Sequence, residues 1–183
     1  MKLLRTIRLD PSDTFVFEKA AEPGEWAVSG AFAFWNTDPD RLEGKMRTAF
    51  RSGFLGISTL GWSTLVQIVE ATGEERRGAA ALLAEKLVSK FGAPTAEQAN
   101  AAAEEEIAFA ESLCSQPQDT LVAVHRSLEE GAIRESFRTL RARRGQAPAR
   151  AFSFLEVEGA DEDEDGQAEE RVNLAAMAER DRQ

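Results

Sequence analysis

One cysteine, one histidine and no long charge-free apolar run limit what this chain can be. Cys114 has no partner for an intrachain disulfide, which suits a reducing compartment. With His125 as the single histidine, a zinc site of the usual Cys/His kind is excluded, and no cofactor is expected. No Walker loop is present, and no GxGxxG follows a strand pattern. Positive charge is also short: 22 Lys and Arg stand against 32 Asp and Glu, a formal net charge of −10. That balance argues against a specific nucleic-acid binder, which needs clustered cations for phosphate. The first residues, MKLLRTIRLD, hold no apolar run of signal-peptide length. The longest uncharged stretch, 52–69, is broken by Gly53, Gly56 and Gly61 and by Ser, Thr and Gln. It reads as buried strands rather than a membrane helix. A cytoplasmic protein without membrane attachment is the expectation.

What is present describes one folded unit. A chain of 183 residues, 43% hydrophobic and 30% charged, can bury a real core. Within the uncharged stretch, Trp62, Thr64, Val66 and Ile68 alternate with Ser63, Leu65, Gln67 and Val69. That period of two predicts a central strand, with a further strand before Gly61. Ahead of it, alternation predicts strands over 2–9, 14–19 and 25–35, the first two as a hairpin across Asp10-Pro11-Ser12-Asp13. Asp38-Pro39 predicts a helix start, and Leu42, Met46, Ala49 and Phe50 line one face up to Gly53.

Thr72 and Glu75 have capping-box spacing, and Ala80, Leu83, Ala84, Leu87, Val88 and Phe91 form a helical stripe ending at Gly92. A second helix starts at Thr95, with Ala99, Ala103, Glu106, Ala110 and Leu113 on one side and Glu97, Glu104 and Glu111 facing water. These two are expected to pair antiparallel. Strands follow over 120–127 and 151–158, with a turn at Glu129-Glu130-Gly131. The piece 132–141 fits a helix stripe or a strand, and the short turn before it favours the strand. The expected fold is α+β: an antiparallel or mixed sheet of about six to seven strands, covered by a helix after the third strand and by the Ala-rich pair. The domain should span 1–158. Residues 159–183 read as an acidic linker and a short terminal helix.

Candidate chemistry centres on uneven charge. Between Arg126 and Arg150 lie seven Arg and three Glu, whereas 156–170 holds nine acids and no base. Arg126, Arg134, Arg138, Arg141 and Arg144 are candidate ligands for an anion or an acidic surface, because guanidinium groups grip carboxylates and phosphates in a fork. The plainer reading is a solvated face answered by Glu129, Glu130, Glu135 and the acidic tail. Trp35 sits at a rim position beside Asn36-Thr37-Asp38. His125 is a candidate general acid–base, or with Cys114 a nucleophile pair. The plainer reading makes His125 a structural histidine and Cys114 a small core residue.

Three segments, GAFAFWNTDPD, GFLGISTLGWSTLVQIVEAT and TLVAVHRSLEEGAIRESFRTL, resemble a small family of uncharacterised alphaproteobacterial proteins, up to about Glu158. The resemblance implies no established activity and carries over no functional residue. The expectation is a non-enzymatic binding or accessory protein, a homodimer paired through an exposed edge at 25–35, that engages an acidic protein partner or small anion. The rival is a small enzyme on an anionic substrate, with Arg126, Arg134 and Arg138 as anion clamps and His125 as acid–base. RNA binding through the same arginines and Trp35 is a third class.

Overall fold

A computed structural model of the chain describes residues 1–141 and 156–158. The sequence's alternating stretches form strands β1 (Lys2–Ile7), β2 (Trp26–Val28), β3 (Phe54–Gly56), β4 (Trp62–Ser63), β5 (Leu65–Glu70), β6 (Leu121–Glu129), β7 (Ala132–Arg141) and β8 (Glu156–Glu158). They make one sheet in the order β4-β3-β2-β1-β5-β6-β7-β8, with every strand pair antiparallel. The helices are α1 (Ser12–Val16), α2 (Gly44–Ser52), α3 (Gly73–Phe91) and α4 (Ala96–Ser112). This is the expected α+β class, with the helix pair where the sequence placed it and α2 starting later than expected.

β5 is interior, between β1 and β6. Val66 and Ile68 are fully buried while Leu65, Gln67 and Val69 are half-exposed, so the alternation records a face. Burying each of these side chains contributes about 1.5–3 kcal/mol. Trp62 belongs to a different strand, because the chain breaks at Thr64 between β4 and β5. Thr64 and Ser63 donate there to the buried Asp13 carboxylate. Thr72 and Glu75 close the predicted capping box at the start of α3, and Gly92 ends it in the left-handed conformation. Arg76 then bridges α3 to Glu104 and Glu111 of α4 at 2.7 and 3.2 Å. Two of the glutamates expected to face water alone therefore pin the helix pair.

Two predicted strands fail, each for a local reason. Residues 14–19 are not a strand: Asp10 accepts from Ser12 N, Thr14 donates to the Pro11 carbonyl, and these turn bonds wind Ser12–Val16 into α1. Phe15 is 70% exposed and Phe17 buried, so the two never share a face. The 25–35 strand stops at Val28. Gly30 turns left-handed at φ +79°, where a Cβ would lie 2.6 Å from that of Leu55, and Ala31–Phe34 form a 3-10 turn. β2 is also interior, so 25–35 offers no edge for pairing a second copy. The predicted helix at Asp38-Pro39 is a single 3-10 turn, Pro39–Arg41, followed by extended Leu42 and Glu43 before α2 begins. The strand reading of 132–141 holds. Of the predicted 151–158 strand, β8 covers Glu156–Glu158, and the tail 159–183 lies outside the described residues.

Candidate functional site

The β6–β7 hairpin carries most of the candidate residues. Glu130 and Gly131 form its two-residue turn, at φ +51° and +79°. Two left-handed residues match the twist of the flanking strands, which fixes the register. His125 then lies opposite Ser136, Ser127 opposite Arg134, and Ala123 opposite Arg138. Opposed residues share a face, so His125, Arg134, Ser136 and Arg138 form one outer patch, all of them exposed. Neither arginine has an ion-pair partner among the described residues.

Arg126 points the other way, and its side chain is wholly buried. Its Nε donates to Glu135 at 2.6 Å. Nη1 donates to the carbonyls of Phe50 at 3.0 Å and Gly53 at 2.7 Å, at the C-terminal end of α2. Nη2 donates to the Ser29 carbonyl. Every guanidinium nitrogen is engaged, so Arg126 is an internal cross-link and has no donor left for a ligand. Burial pulls its pKa down, and the adjacent Glu135 opposes that shift.

Glu106 faces this pair from α4. Its Oε2 is buried without a hydrogen-bond partner among the described residues. Burial first, and then the Glu135 charge, push its pKa to about 7, against the pull of Arg126. The signal for this residue was a carboxylate standing in an alanine stripe. A second feature escaped the sequence reading altogether. A hollow of about 210 Å³ separates α2 from β6, lined by Asp40, Arg47, Phe50, Arg51, His125 and Ser127 among others. The register with β5 covers only Leu121–Ala123, so α2 fills the space beside the rest of β6. Arginines four apart on an exposed helix face are too common for the sequence alone to single out Arg47 and Arg51.

The other candidates separate. Cys114 is buried, donates to the Ala110 carbonyl, and has its thiol pKa raised to about 11 by burial. His125 is on the wet face, so thiol and imidazole do not form a nucleophile pair. On the plainer reading His125 is a structural histidine, and its side chain is exposed on the hairpin's outer face. Trp35 is 76% exposed, and no ring or cation contact joins it to the hairpin among the described residues. Arg141 closes β7 opposite Glu156, and Arg144 lies outside the described residues. No group of three or more His, Cys, Asp or Glu residues is placed to hold a metal ion among the described residues. No helix there is long and apolar enough to cross a membrane.

No curated protein and no solved structure matches the chain. Residues 1–157 do match the family model of DUF6505, a family of unknown function, and the chain belongs to that family.

Proposed function

We propose that this chain is a non-enzymatic binding protein that engages an acidic partner surface through the outer face of the β6–β7 hairpin. The observation that carries the reading is the co-facial, exposed set of Arg134, Arg138 and His125, with no ion pair to either arginine among the described residues. In a chain of net charge −10, uncompensated cations on one flat face suit a complementary surface. A flat ribbon face also suits a macromolecular partner better than a small substrate, which needs a concave site. The rival, His125 acting as acid–base on an anion, loses Arg126 as a clamp because that guanidinium is already fully bonded. The lone, buried Cys114 suits action in the cytoplasm.

The test is fluorescence anisotropy with a labelled oligoglutamate peptide as the acidic surface. Binding should weaken with added salt, as exposed charges are screened beyond about 8 Å at physiological ionic strength. Arg134→Glu with Arg138→Glu should weaken it about tenfold or more. Equal binding by that double variant, or none by the parent chain at low salt, would dismiss the proposal.

A further inference from the structure

We infer that the hollow between α2 and β6 is a binding site for a small phosphate-type dianion, held by Arg47, Arg51 and His125. This goes beyond the acidic-partner reading, since it uses different arginines and a concave site and shares only His125 with the hairpin face. Arg47 and Arg51 stand four apart on α2, so their side chains emerge from neighbouring positions on one helix face. Like charges at that spacing cost a helix stability. No acid forms an ion pair with either among the described residues, so nothing there offsets the cost. Both line the hollow, and His125 lines it from β6.

The surroundings favour an anion. The C-terminal carbonyls of a helix normally repel negative charge. Here the Ala49, Phe50 and Gly53 carbonyls accept from Arg126, which quenches that end of α2. The Arg126 charge is in turn paired with Glu135. Asp40 is the one acid lining the hollow, set against Arg47, Arg51 and the already paired Arg126. Donors arriving from two elements match the several oxygens of a tetrahedral phosphate better than the two of a carboxylate.

His125 is the only histidine in the chain, so its imidazole Hε1 proton NMR signal needs no assignment and reports directly on the hollow. Sodium phosphate is titrated into the full chain at fixed pH, with sodium chloride adjusted to hold ionic strength constant. The Hε1 signal should move along a saturating curve. Acetate, titrated in the same way, should bind at least tenfold more weakly. Arg47→Gln with Arg51→Gln should weaken phosphate binding tenfold or more, and glutamine is a good helix former, so α2 should persist. Arg134→Ala with Arg138→Ala should leave it within twofold. A linear drift with phosphate, acetate binding as tight as phosphate, or an unchanged curve in the Arg47/Arg51 variant would overturn the site. Loss of binding in the Arg134/Arg138 variant instead would move the anion to the hairpin face and overturn it too.

Discussion

Glu106 brings a carboxyl to a place where the nearby guanidinium already has a carboxylate partner. The folded chain holds its proton up to about pH 7, whereas the unfolded chain releases it near the ordinary value of 4.5. Native protein thus binds the extra proton between those two values, and stability falls as pH rises through the window. Glu106→Gln keeps the shape and removes the charge. At pH 8 it should be more stable than the parent by up to about 3 kcal/mol, and at pH 5 by no more than about 1 kcal/mol. Urea denaturation at the two pH values checks this. A parent stability flat from pH 5 to 8 would show that Glu106 is not held protonated. On the strand predicted over 120–127, alternation puts Arg126 on the face of Val122 and Val124, away from His125. It could not reveal that this face is the interior one, because an arginine on a strand is usually wet.

At the scale of single elements, turn and cap chemistry decided more than alternation did. The capping box at Thr72, the Thr95 cap and the left-handed Gly92 were legible because their bonds span only a few residues. The 14–19 strand was misread because Phe15 and Phe17 alternate as strand residues do, while Asp10, Pro11 and Thr14 supply turn bonds that win locally. Gly61 shows a packing demand of another kind. A Cβ there would sit 2.5 Å from the backbone of Ala20 and Ala21, beside the bridge between Ala20 and Trp62. Gly61→Ala should therefore cost on the order of 1–3 kcal/mol. A thermal melt reads it, and an unchanged midpoint would mean that the loop yields freely. From the sequence Gly61 was visible as a break between strands, but the segment crowding it was not.

Across the whole molecule, Arg126 joins parts of the chain far apart in sequence. It ties β6 to Ser29 beyond β2 and to the end of α2, and through Glu135 to β7. Arg126→Met should cost about 3–5 kcal/mol, because it removes the donor to the α2 carbonyls and leaves the Glu135 charge without its counter-ion. Adding Glu135→Leu should recover part of that loss. A cost below about 1 kcal/mol would instead suit a surface arginine. The urea midpoint of each variant is the measurement.

The sequence by itself determined what depends on neighbours within a few residues: the helix pair and its caps, the β6–β7 turn, the alternation of β5 and the α+β class. Tertiary structure alone decided that β2 lies inside the sheet, that Arg126 is interior and fully bonded, and that Arg47 and Arg51 share a hollow with His125. Those outcomes turn on which distant segment packs against a given face, and no local spacing encodes that choice.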